Sequence, residues 1–169
     1  MGLIKNGQLT SDPWVTADMD GGLMPDIPTI VPLARFLAER EELLRSQAEL
    51  GVLVSPGEDI DALAEDLPRL KVVALSFPAF TDGRAYSYAR LLRQRHGYEG
   101  EIRAVGNVLR DQYLFMHRAG FDTYKVGEGA DINAWKDAIS HFSVVYQPAT
   151  DSQTPAWKRR HSSAAAAAE

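Results

Sequence analysis

The sequence predicts an α/β fold in which about five parallel strands alternate with helices. Three observations predict it. Short runs of β-branched and apolar residues, such as Val52-Leu53-Val54 and Val72-Val73-Ala74-Leu75-Ser76-Phe77, recur along the chain. Each run is followed by a turn rich in Gly, Pro or Asp and then by a stretch with helical periodicity. Parallel neighbours need a crossover of a dozen or more residues, usually a right-handed helical one, and these spacings supply it. A partial (β/α) barrel and an open twisted sheet both fit. Eight barrel units need more than the 169 residues present, so an incomplete, barrel-like sheet is favoured.

Taken in order, the first thirty or so residues read as loop. Pro13, Pro25, Pro28 and Pro32 interrupt any long helix, and Leu3-Ile4 and Ile27 to Val31 are expected as short edge strands. One helix follows from about Leu33 to Glu49. Leu33, Phe36, Leu37, Leu44 and Ala48 share its apolar face, and Gly51 suits its C′ position. Then come a strand at Val52–Val54, a helix near Asp59 to Leu67, a strand at Val72–Phe77 and a helix from about Gly83 to His96. A strand from Ile102 to Val105, a helix from Val108 to Ala119 closed by Gly120, a strand at Thr123–Val126 and a helix at Asp131–Ser140 continue the pattern. Ser143 to Tyr146 is the last strand expected. Residues 1–148 thus form one α/β domain. Residues 149–169 are polar, then basic at Lys158-Arg159-Arg160, then an alanine run, and are expected to be a disordered tail or a partner-binding arm.

Composition narrows the chemistry. A net charge of −5 argues against a general nucleic-acid binder. No run of eighteen apolar residues and no charged-then-apolar leader is present, so a soluble cytoplasmic protein is expected. With no cysteine there are no disulfides, thiolate clusters or thiol nucleophiles. His96, His117, His141 and His161 lack helical ligand spacing, so no metal centre is expected.

Ligands of parallel α/β folds gather at the carboxyl ends of the strands. Those ends carry Ser55, Thr81-Asp82-Gly83-Arg84, Asn107 and Gly127-Glu128-Gly129. Asp82 suits an N-cap and Gly83 a tight turn, whereas Arg84 opposes the dipole of the helix it opens and asks for an anion. Arg103 and Lys125 place charge inside two consecutive strands, where a sheet covered by helices is normally apolar. The sequence therefore offers Arg84, Arg103 and Lys125 as a site for a small oxyanion. The alternative is an internal ion-pair network with Asp82, Glu101 or Asp111. Asn107 is expected to cap the next helix, with Asp111 and Gln112 in its first turns. Gly127-Glu128-Gly129-Ala130-Asp131-Ile132 lacks the third glycine of a dinucleotide fingerprint, so no cofactor is assigned.

The run Phe77-Pro78-Ala79-Phe80-Thr81-Asp82-Gly83-Arg84 is joined by Ser87, Ala89-Arg90-Leu91-Leu92-Arg93, Gly100-Glu101-Ile102-Arg103-Ala104, Asp111-Gln112 and Arg118-Ala119-Gly120-Phe121-Asp122. Together they resemble the bacterial domain-of-unknown-function family 934. Members similar to this chain often have Gly-Asp-Val at Gly106-Asn107-Val108 and Cys at Ala119. The resemblance implies an oxidoreductase association with assimilatory sulfite reduction, through gene neighbourhood, and names no catalytic residue. Two readings follow. One is an accessory or assembly protein that binds sulfite reductase and a sulfur oxyanion; the other is an oxidoreductase with a nucleotide or flavin. A small-anion-binding domain unrelated to sulfur, and homo-oligomerisation, stay open.

Overall fold

The computed structural model describes residues 2–24 and 26–159. One sheet of eight strands organises them: β1 (Gly2–Lys5), β2 (Gln8–Thr10), β3 (Val15–Thr16), β4 (Thr29–Pro32), β5 (Leu50–Val54), β6 (Val72–Phe77), β7 (Glu101–Gly106) and β8 (Thr123–Val126). Their order is β2-β1-β8-β7-β6-β5-β4-β3. All pairs from β3 to β8 are parallel, and β1 is antiparallel to both β2 and β8.

Sequential order from β3 to β8 with the helical crossovers on one face is the topology of a barrel that has not closed. The helices of that outer face are α1 (Leu33–Ala38), α2 (Arg40–Arg45), α3 (Arg84–Arg90), α4 (Tyr113–Ala119) and α5 (Ile132–Ser140). Alternation along the strands sends Val73, Leu75, Phe77, Ile102, Ala104 and Tyr124 outward, against Phe36, Ala89, Leu92, Met116 and Trp135. The inner face holds a thinner apolar cluster of Ile30, Val72 and Ala74, packed by Trp14, Leu53 and Val105.

The chain itself dictates how far the sheet curls. β2 and β3 lie at opposite edges, yet only Ser11-Asp12-Pro13-Trp14 joins them. Eight flat strands would span roughly 33 Å at the usual strand spacing, whereas Thr10 and Val15 are separated by at most about 19 Å of chain. The sheet therefore bends into a half-barrel, and the four residues form a strap across its concave side.

Several expectations are corrected. The residues expected as a fifth strand, Ser143 to Tyr146, form none, because β1 already occupies the free edge of β8. Leu3-Ile4 therefore lies within the sheet rather than at its edge. The Ile27–Val31 segment likewise supplies β4, an interior parallel strand between β3 and β5. The single helix over 33–49 is two short helices broken at Glu39, which leaves Leu37 45% exposed instead of buried. Gly51 is not a helix cap but an inner-face residue of β5, where a Cβ would meet Val72 O and Ile30 Cγ1 at 3.0 Å. The helix over 59–67 is a pair of 3₁₀ turns, Ile60–Leu63 and Leu67–Arg69.

The packed chain also runs past 148. Thr150 donates its N–H and its hydroxyl to Arg118 O at 3.1 and 2.7 Å, and Ala156 N donates to Val145 O at 2.8 Å. Residues 160–169 of the expected tail, with Arg160, His161 and the alanine run, lie outside the described residues, as do Met1 and Pro25. No helix among the described residues is long and apolar enough to cross a membrane.

Candidate functional site

The two strand cations lie on the inner face, under the strap. Arg103 is 2% exposed. Its Nε and one terminal nitrogen donate to Glu101 Oε1 at 2.9 and 2.7 Å, and the other donates to Asp12 Oδ1 at 2.8 Å. Thr123 Oγ1 adds a bond to Glu101 Oε1 at 2.8 Å, and Lys5 Nζ one to Glu101 Oε2 at 3.0 Å. Lys125 Nζ stands 4.0 Å from Asp12 Oδ2. Burial pushes the Glu101 carboxyl up, but the bonds from Thr123 and Arg103, the Arg103 charge and the Lys5 bond outweigh it. The group titrates below the ordinary carboxylate value.

Arg84 belongs to a different place. It grips Asp82 with Nε to Oδ1 at 3.0 Å and a terminal nitrogen to Oδ2 at 2.7 Å, and its backbone N–H also donates to Oδ1 at 3.2 Å. Those bonds hold the Asp82 carboxyl below its usual range. Gly83 sits at the N-cap position of α3 with a φ of −92° that any residue adopts. The structure thus brings Arg103 and Lys125 together around Asp12 and leaves Arg84 with Asp82, so the three cations share no anion space. Each faces a carboxylate, and the decisive one, Asp12, arrives on the strap. Asn107 is also corrected: its backbone N–H donates to Phe77 O at 2.7 Å, and its side chain caps no helix. Gly106, before it, has φ +91°, and a Cβ there would lie 2.5 Å from Phe77 O.

Asp111 and Gln112 lead elsewhere, to a cleft of about 530 Å³ on the outer face between α3 and α4. Tyr86 and Arg90, one turn apart on α3, form one wall. Asp111, Gln112, Phe115 and Ala119 form the second, Phe80 from the loop after β6 forms an end, and Gln147-Pro148-Ala149 close the third side. Arg118 fixes that third side. Its Nε donates to Asp151 Oδ2 at 2.8 Å and a terminal nitrogen to Gln147 O at 2.6 Å. Tyr86 packs edge-on to Phe77, with ring centroids 5.3 Å apart, and its hydroxyl is pushed up to about 12 by burial and, second, by the Asp111 charge.

Three features mark this cleft as unfinished. Phe80 and Phe115 are 55% and 60% exposed on its rim. Gln112 Oε1 is buried with no donor among the described residues. Arg90 and Asp111 line facing walls, yet neither makes an ion pair among the described residues. Large exposed apolar side chains normally find partners, and the exposed Arg90 and Asp111 leave charge at the rim, so this arrangement suits a ligand that brings an apolar surface and a charged group.

The sequence reading missed Phe80, Tyr86, Arg90, Phe115 and Arg118 as site residues. Phe80 carried a signal, being a large apolar residue in a turn. So did Phe115, because Tyr113, Leu114 and Met116 take the buried positions of α4 and leave it outside. At the start of α5, Asp131 accepts from the N–H groups of Asn133 and Ala134 at 3.0 and 3.4 Å, so a carboxylate holds the donors a phosphate would use.

No curated protein matches the chain. Residues 51–157 match the model of the family described as "Bacterial protein of unknown function (DUF934)", and the chain belongs to that family.

Proposed function

We propose that this protein is an accessory subunit that docks onto a larger enzyme of assimilatory sulfite reduction through the cleft between α3 and α4. The observation that carries the docking reading is the aromatic rim. Phe80 and Phe115 project from a cleft whose third wall is clamped by Arg118, so a partner would meet a preformed apolar site. Every cleft residue lies within the stretch matched by the family model, whereas Lys5 and Asp12 of the inner network lie outside it. The sulfur setting rests on the family resemblance alone. An oxyanion site at Arg84, Arg103 and Lys125 forms no part of this reading, because each of these cations already faces a carboxylate.

The test is capture in the native host. A photo-crosslinking phenylalanine analogue at position 115 is expected to trap a sulfite reductase subunit, and Phe115→Asp to remove the reductase from gentle copurification. Crosslinks that contain no reductase subunit would defeat the proposal.

A further inference from the structure

The groups left without partners in the cleft describe what would complete them. Resting on the docking reading, we infer that the cleft takes a short segment of the partner chain bearing one bulky apolar side chain next to one carboxylate. The apolar side chain fits between Phe80 and Phe115 over the ring of Tyr86, where aromatic walls offer large contact area without backbone rearrangement. The carboxylate goes to Arg90. Its guanidinium presents a planar fork that fits a carboxylate through two bonds.

Asp111 sets the limit on charge. Facing Arg90 without a cation of its own, it repels a second acidic residue, so the site selects one carboxylate rather than an acidic run. Arg90 and Asp111 together leave the cleft charge-balanced and polarised, which orients the segment with its acid toward α3.

Selection of short random peptides displayed on phage, against the whole protein, tests this directly. The wild type is expected to enrich peptides with an aromatic or large aliphatic residue next to a single Asp or Glu. Arg90 is exposed, so Arg90→Gln and Arg90→Glu keep the fold, as their unfolding midpoints would confirm. Arg90→Gln is expected to weaken the selected peptides about two- to fivefold, the weight of a solvent-exposed ion pair. Arg90→Glu is expected to shift selection toward Lys and Arg.

No enrichment, enrichment without an acid, or equal binding to all three proteins would overturn the inference. So would crosslinking from position 115 that recovers only a second copy of this chain. Failure of the docking reading looks different, since crosslinks from position 115 then contain no reductase subunit, whatever the peptide selection gives. If the partner is trapped equally well by the protein carrying Arg90→Gln, docking stands and this inference falls.

Discussion

The concave face of the half-barrel and the cleft on its outer face treat charge in opposite ways. On the concave face, Arg103 is enclosed by Glu101 and Asp12, and Thr123 and Lys5 take up what remains of Glu101. In the cleft, Arg90, Asp111 and Gln112 Oε1 stay without partners among the described residues, beside two exposed phenylalanines. The first arrangement is complete and the second is not. Buried charge marks a structural solution when every bond is made, whereas exposed aromatic side chains beside unpaired surface charges mark a candidate binding site. The comparison predicts that substitutions inside the barrel change stability and that substitutions in the cleft change binding.

The largest effect is expected from Arg103→Ala. It strands Glu101 and Asp12 without their main cation, and removing one partner of a buried pair costs about 3–5 kcal/mol. Denaturant unfolding measures this, and a loss below about 1 kcal/mol would mean that the inner face is wetter than its burial implies. Asp12→Asn comes next. It keeps the shape of the strap but removes the charge facing Arg103 and Lys125, for about 1–3 kcal/mol. The fluorescence of Trp14, packed two residues along on the same strap, should shift as the strap loosens; unchanged emission with unchanged stability would show that the strap is held by its backbone alone.

Acid sharpens the comparison further. The Glu101 carboxyl is depressed in the folded protein, so its contribution is fully present above the ordinary value of 4.5 and is lost as pH falls through the lower folded value. Glu101→Gln should therefore flatten the acid limb of the stability profile, at the expense of stability near neutrality. A profile that keeps its steepness would assign the acid sensitivity to other carboxylates. The smallest effect on stability is expected from Phe115→Asp, within about 0.5 kcal/mol, because the ring is already in water. A large loss of stability there would identify Phe115 as part of the core and remove the contrast between the two regions.

Much of the fold was legible because it follows from local chemistry. Val72–Phe77 and Thr123–Val126 have the β-rich composition of their strands, Gly120 ends α4, and Asp131 caps α5. The site was legible only in part. Asp111 and Gln112 were found for their place near a strand end, and Arg90 and Arg118 lay unassigned within the stretches that carry the family resemblance. The cleft itself joins residues from 80 to 149, and no periodicity connects those positions.

What the sequence determined by itself is the alternation of strands and helices, the parallel pairing it requires, and the presence of charges that two strands could not hide alone. Only the tertiary structure decided where those charges find partners. Thr10 and Val15 are near in sequence but belong to opposite edges of the sheet, so the chain between them must cross the barrel and carries Asp12 to Arg103. Local preferences cannot encode that contact, because it exists only once the whole sheet has curled.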